Sequence, residues 1–363
     1  MKVVIVSKAL VRGAYQRTLE ELARSVDLTV ISPPGWREGK VSTALDRRFT
    51  TGYELIVTSI AFNGRYHIHF YPRLPGLLEK LRPDLVHVDE EPYNLATWLA
   101  IRAARRAGAK RVFYAWQNIF RPLPPPFGLL EKDVFRLTNR AIVASADAKE
   151  VLHQKGFARP VAIIPPGLDV ELYRPGQRRS ADEFVVGYVG RLVPEKGVDG
   201  LIRACQSLTR RWRLRLVGEG EQRSSLETLS RALGISEHVE FVGAVPSLDV
   251  PSVLSSLDTL VLPSRTLPNW REQFGRVLME AMACAVAVVG SDSGEIPRVI
   301  GDAGLVFPEG DDSALASHLQ ALQADPAWRH ELGTRGRDRV LANFSHHNVA
   351  AQTLAVFRSA VET

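Results

Sequence analysis

Residues 184–197 read FVVGYVGRLVPEKG. An apolar run closed by Gly190 reads as a strand buried on both faces, which belongs in a parallel sheet covered by helices. The run feeds a short loop that sets Arg191 and Lys196 between Gly190 and Gly197. Arginine offers a planar fork to phosphate oxygens, and lysine a mobile point charge. A lone basic pair is usually an ordinary surface feature. This pair stands at the carboxyl end of a strand, where open α/β sheets bind their ligands. The stretch therefore predicts an α/β fold with a doubly wound parallel sheet, and an anion site on it.

Residues 263–283, PSRTLPNWREQFGRVLMEAMA, point to the same ligand. Glu272 precedes a turn centred on Phe274 and Gly275, and the apolar helix that follows carries Glu280. Glycine fits where a backbone must approach a ligand closely. A helix opens with free amides and the positive end of its dipole, so the start of this helix is an anion site. Two phosphate-seeking loops in one half of the chain make a diphosphate the economical ligand. The two glutamates are not a hydrolase pair: eight helical residues rise ~12 Å, whereas retaining hydrolases hold their carboxyls ~5 Å apart. They are expected to grip different parts of one elongated ligand. A solvated helix face explains Glu280 less well, because VLMEAMA is otherwise apolar.

The same plan runs through the whole chain. Strand-like runs occur at 3–7, 27–32, 55–60, 84–88, 111–116, 141–145 and 161–165, with helices around 15–25, 93–107 and 147–154. They recur at 184–190, 214–218, 239–243, 259–264, 285–291 and 304–308. Residues 169–182, punctuated by Pro175 and Gly176, read as a linker. Two doubly wound domains imply a cleft, with Gly190, Gly218, Gly243 and Ser264 on one rim.

The chain has 363 residues, 45% of them hydrophobic and 24% charged, which suits two soluble domains. No run approaches the ~18 apolar residues of a membrane span, and KVVIVSK directly after Met1 leaves no room for a signal peptide. A cytoplasmic protein is expected, with Cys205 and Cys284 as buried thiols. Residues 1–180 hold 28 Lys+Arg against 17 Asp+Glu, a net +11, and the remainder 18 against 23, a net −5. A basic first half suits an anionic partner such as a membrane surface as well as it suits plain surface decoration. No zinc-ligand or RNA-recognition pattern points to nucleic acid.

Several other features carry less. VGEGEQR (217–223) has Arg223 where a dinucleotide fingerprint needs its last glycine, so no NAD site is expected. Gly218 and Gly220 are read as letting the backbone turn close to a ligand, with Glu219 at the rim. Asp89-Glu90-Glu91 reads as an acidic turn rather than a metal site, since no His or Cys is seen to converge on it. His67 and His69 alternate on a possible strand and receive no role. Arg102, Arg105, Arg106, Lys110 and Arg111 are read as crowding one helix that could touch an anionic membrane.

GRLVPEKG, PNWREQFGRVLMEAMA and SDSGEIPRVIGDAGLVFP together resemble the retaining family-4 glycosyltransferases of the GT-B fold. The resemblance is specific over roughly residues 165–345 and looser before them. It implies two Rossmann-like domains facing each other across a cleft: residues 1–168 on the acceptor side, a linker at 169–182, and a donor domain at 183–345. A last helix, about 346–363, would pack back on the first domain. It also implies roles. Arg191 and Lys196 match the pair that grips the donor diphosphate, and Glu272 the glutamate that contacts donor-sugar hydroxyls. The amides of Phe274, Gly275 and Arg276 match the phosphate-binding turn, and Glu280 the ribose contact. Gly13 is similar to the glycine that lets the first loop approach phosphate and acceptor. Where many members place a histidine near the sugar, this chain has Trp116, Gln117 and Asn118, and Gln117 or Asn118 would supply that hydrogen bond. Ala285 and Ala287 stand where members usually carry Gly and Pro.

The function so implied is metal-independent transfer, with retention, from a UDP- or GDP-sugar to a hydroxyl acceptor, plausibly a lipid-linked or cell-surface saccharide. The alternatives are a nucleotide-sugar-binding protein without catalysis, or another GT-B enzyme such as an epimerase or phosphorylase. No cofactor is expected. The place would be the cytoplasm or the inner face of the membrane.

Overall fold

The structure, a computed structural model, describes residues 1–39, 41–176 and 183–362. The chain divides into two compact units: Met1–Gly167 with His346–Thr363, and Leu168–Ser345.

Among its described residues the first unit has the strands β1 (Lys2–Val6), β2 (Asp27–Ser32), β3 (Gly35–Glu38), β4 (Val41–Ala44), β5 (Glu54–Val57), β6 (Leu85–Val88), β7 (Lys110–Ala115), β8 (Arg140–Val143) and β9 (Val161–Ile163). Seven form a parallel sheet in the order β5-β2-β1-β6-β7-β8-β9. Strand alternation splits its core between two faces. Val4, Val6, Val86 and Phe113 pack on one. Val3, Ile5, Leu28 and Val112 pack on the other, where the helix His346–Glu362 contributes the fully buried Phe357. Thr18 Oγ1 meets His346 Nδ1 at 2.7 Å where this last helix begins.

The second unit holds β10 (Phe184–Val189), β11 (Trp212–Val217), β12 (Val239–Gly243), β13 (Thr259–Leu262), β14 (Ala287–Ser291) and β15 (Leu305–Phe307). They run parallel in the order β12-β11-β10-β13-β14-β15. The core is apolar on both faces, with Tyr188, Leu214, Leu260 and Val288 fully buried. In each sheet the strand order reverses beside the first strand. The switch points, where crevices open in doubly wound sheets, therefore fall between β1 and β6 and between β10 and β13.

The structure departs from the sequence expectations in five places. The antiparallel hairpin β3–β4 was not legible, because GWREGKVSTA mixes charged residues into both strands. The helix Leu74–Leu81, opened by Pro75, was also missed. His67 and His69 lie in turns, not on a strand, and His69 is fully buried. Lys110 and Arg111 belong to β7, so the basic helix ends at Arg106. Burial lowers the Arg111 guanidinium, which donates to the carbonyls of Leu137 and Ala109 at 2.5 and 2.6 Å. Finally, residues 168–176 are no free tether: Leu168 and Tyr173 are buried in the core of the second unit. Residues 177–182 of the expected linker lie outside the described residues.

Candidate active site

In the second unit, the loops leaving β10 and β13 flank the switch point. The β10 loop runs from Gly190 through Arg191 to a single 3-10 turn, Pro194–Lys196. That turn aims Lys196 inward. Its Nζ lies 2.5 Å from Glu272 Oε2 and 4.8 Å from the centroid of the Trp270 ring. Ser264 Oγ donates to the same carboxylate oxygen at 2.8 Å. The side chains of Lys196 and Glu272 are 15% and 10% exposed, so the pair is largely desolvated yet reachable. Arg191 behaves differently: its side chain is 67% exposed and meets Glu195 at 3.5 Å. It is a solvated fork, whereas Lys196 is held inward by its partners.

Gly275 has φ +70 and ψ 49, the left-handed region that favours glycine, and it caps the helix Arg276–Ala283. Among the described residues no acceptor meets the amides of Phe274 and Gly275. The Phe274 side chain is buried edge-on against Phe344 at 6.0 Å, so only its backbone is available to a ligand. Glu280 lies one turn into the helix. Its Oε1 accepts from Arg276 Nε at 2.8 Å, and burial raises its carboxyl despite Arg276 and the Tyr173 hydroxyl. Glu272 thus precedes the helix and Glu280 sits inside it, each with its own partners.

The glycines after β11 have a structural reason the sequence did not show. A Cβ on Gly218, at φ +135, would sit 1.9 Å from the Gly190 carbonyl oxygen, and one on Gly220 2.1 Å from that of Leu192. Two strand-end loops cross there, so these glycines shape the β10 loop. Glu219 is half exposed and pairs with Arg223 at 2.7 Å.

The remaining candidates belong to the first unit. A Cβ on Gly13 would lie 2.4 Å from Asp46 Oδ2, so close approach within the unit already requires glycine there. Gln117 uses both ends of its amide: Oε1 accepts from Lys155 Nζ at 2.7 Å and Nε2 donates to the Ile119 carbonyl at 3.1 Å. Asn118 is buried. Glu91 accepts the Trp116 amide at 2.8 Å, and burial pushes its carboxyl up to about 7. Sequence reading missed Ser264 as a partner of Glu272, and also Trp270, Tyr173 and Glu91. Trp270 adjoins a stretch already singled out and was the most findable. A histidine does reach the acidic turn: His69 Nε2 lies 3.4 Å from Glu90 Oε1, although no metal-holding cluster occurs among the described residues.

Two family models match the chain: Glycosyltransferase Family 4 over residues 15–172 and Glycosyl transferases group 1 over residues 169–339. The GDP-mannose-dependent alpha-(1-6)-phosphatidylinositol monomannoside mannosyltransferase of Mycolicibacterium smegmatis is 29% identical over 366 residues, covering 92% of this chain and 91% of that protein. The D-inositol 3-phosphate glycosyltransferase of Mycobacterium tuberculosis is 32% identical over 66% of this chain, which spans about half of that relative (52%). The structure of Anabaena Alr3699/HepE in complex with UDP superposes with a TM-score of 0.73 at 19% identity, covering 99% of this chain and 100% of that one. That likeness shows the GT-B fold. The chain belongs to the family-4, group 1 glycosyltransferases.

Proposed function

We propose that this glycosyltransferase moves a sugar, with retention and without a metal ion, from a UDP- or GDP-sugar to a hydroxyl of a lipid-linked or cell-surface saccharide. The observation that carries the reading is the Lys196–Glu272 pair beside the left-handed cap Gly275 at the β10/β13 switch point. Lys196 pairs with Glu272. A donor diphosphate would take over Lys196 and the amides of Phe274, Gly275 and Arg276, with Arg191 closing from the rim. Glu272 would then turn to the sugar hydroxyls, and Glu280 would meet the ribose.

Charge develops on the departing diphosphate, and preorganised donors aimed at it are worth about 3 kcal/mol each in the barrier. The leaving phosphate itself would accept the acceptor proton on the same face. Gly13 would bring the first loop to the phosphate, and Gln117 or Asn118 would contact the sugar. The relative matched over nine-tenths of its length names GDP-mannose and a phosphatidylinositol mannoside, which supports testing GDP-mannose and lipid-linked acceptors first. A place at the inner face of the membrane follows from such an acceptor.

Titration calorimetry with UDP, GDP, ADP and NAD, repeated on Arg191→Ala, tests the donor. Selective binding of UDP or GDP that weakens in the variant is expected, and binding of NAD alone would overturn the reading. The anomeric configuration of the product, read by NMR, tests retention.

A further inference from the structure

The first unit carries a lobe outside its sheet. The hairpin Gly35–Ala44 packs against the loop Ala61–Phe70, whose ends are closed by paired backbone hydrogen bonds between Ala61 and Phe70 at 2.9 and 3.3 Å. Asn63 joins the two pieces: its Nδ2 donates to the Gly35 carbonyl at 3.0 Å and its Oδ1 accepts from the Arg37 amide at 2.9 Å. Trp36 lies edge-on to Tyr66 and His69, at 5.4 and 4.9 Å between ring centroids. The lobe is therefore held by specific contacts on both sides of its seam.

What it presents is unusual for a surface. Val41 is 66% exposed and Phe62 59%, and Tyr66 and Ile68 are exposed as well. Phe62 also has φ +53, a region that costs a bulky L-residue conformational energy. An aromatic side chain is thus held out to water on a backbone it disfavours. Such strain persists where the surroundings impose it, and commonly at ligand-binding places. Arg37 and Arg65 have no ion pair among the described residues, and Glu38, the lobe's one carboxylate, is taken by Arg12 and Tyr66.

We infer that this hairpin–loop lobe docks on an anionic lipid bilayer, with Val41, Phe62 and Ile68 entering the interface and Arg37 and Arg65 meeting lipid phosphates. A saccharide would stack on aromatic rings and would have no use for the aliphatic Val41 and Ile68. Mixed aliphatic, aromatic and basic exposure fits a bilayer surface, where apolar burial and attraction to anionic headgroups add. The helix that the sequence offered for this role is less suited: Arg102 is paired with Asp133 at 3.1 Å and stacked on Trp98 at 4.9 Å. The inference names the membrane partner of the lipid-linked acceptor reading and rests on that reading for its purpose.

The test is co-sedimentation of the full chain with vesicles of phosphatidylglycerol and phosphatidylcholine, against phosphatidylcholine alone. Preferential capture by the anionic vesicles is expected. Arg37→Glu with Arg65→Glu should weaken it by roughly fivefold or more per charge. Phe62→Asn also should weaken it while leaving the melting temperature unchanged or raised, since asparagine tolerates positive φ. Capture that is equal on both vesicles, absent, or unchanged in both variants would overturn the inference. UDP and GDP titration on the same samples separates the two readings: if neither nucleotide binds but anionic vesicles still capture the chain, the donor reading fails and the docking lobe stands.

Discussion

The two units build the same device at the same topological place and use it differently. In each, a lysine from the loop after the first strand of the parallel sheet meets a glutamate from the loop after that sheet's fourth strand in chain order, β6 or β13. In the second unit the pair is Lys196–Glu272, flanked by Ser264 and Trp270. In the first it is Lys8–Glu90, with the Glu90 side chain fully buried, His69 and Tyr71 as further partners, and Lys8 under the rings of Trp36 and Tyr66. Burial alone would raise the Glu90 carboxyl, but the Lys8 charge and the His69 contact outweigh it and hold it at about 2. An ion pair with every position filled clamps a structure. One left with an exposed edge and free amides nearby can exchange partners with a ligand. A shared sheet order therefore does not assign a role; the occupancy of the switch point does.

Exchanging the two lysines' fates is the sharpest way to break this comparison. Lys196→Ala should lower turnover by about a hundredfold or more, with a modest loss of stability, since Ser264 still donates to the Glu272 carboxylate. Turnover near that of the parent protein would remove the second pair from the chemistry. Glu90→Ala should do the reverse, costing about 3 kcal/mol of stability because a buried carboxylate that Lys8, His69 and Tyr71 all meet is lost. Denaturant unfolding would show it, while UDP or GDP affinity, read in calorimetry, stays within about twofold at a site in the other unit.

Acid separates the units next. His87 is buried against Phe357 and held at about 4, below its usual 6.5, by desolvation. Its folded-state pKa is depressed, so the stability it contributes is present above about 6.5 and is lost as pH falls toward 4, a change of order 3 kcal/mol. Glu91, raised to about 7, acts with the opposite sign: its contribution is present below about 4.5 and lost as pH rises through 7. His87→Leu should therefore flatten the acid limb of a stability–pH curve between pH 6.5 and 4. An unchanged limb would show that other groups dominate it. The smallest effect belongs to the second unit. Ala285 stands at φ +57, and Ala285→Gly should raise stability by about 0.5–1 kcal/mol, the left-handed penalty less glycine's entropy. A lowered melting temperature would contradict it.

How much of this the sequence carried depended on range. Thirteen parallel strands announced themselves as apolar runs, because a parallel strand packed under helices shows little polar alternation. Hairpin β3–β4 did not, since its residues are half solvated and its partner loop lies seventeen residues downstream of Ala44. Lys196, Glu272 and Gly275 could be named from local chemistry: a charge after a strand, and a glycine before a helix. Their partners could not. Ser264 reaches Glu272 across a loop, Tyr173 reaches Glu280 from the far end of the unit's sequence, and His69 reaches Glu90 from a turn that reads as a strand. Those contacts follow from the fold and have no period to betray them. Gly218 was read as a place of close approach to a ligand, and in the structure the Gly190 carbonyl lies where its Cβ would be.

One feature of the chain path bears on how the molecule can be taken apart. Leu168 and Ser345, the two ends of the second unit, are bridged, and the Leu168 amide donates to the Phe344 carbonyl at 2.8 Å. On the other side of the same crossing, a Cβ on Gly167 would lie 2.4 Å from His346 Nδ1. Each unit therefore has its cut ends already side by side. A gene encoding residues 168–345 alone, and another joining 167 to 346 through a short glycine bridge, should each yield a folded half, so that donor recognition and lipid docking can be assigned to separate polypeptides in separate tubes.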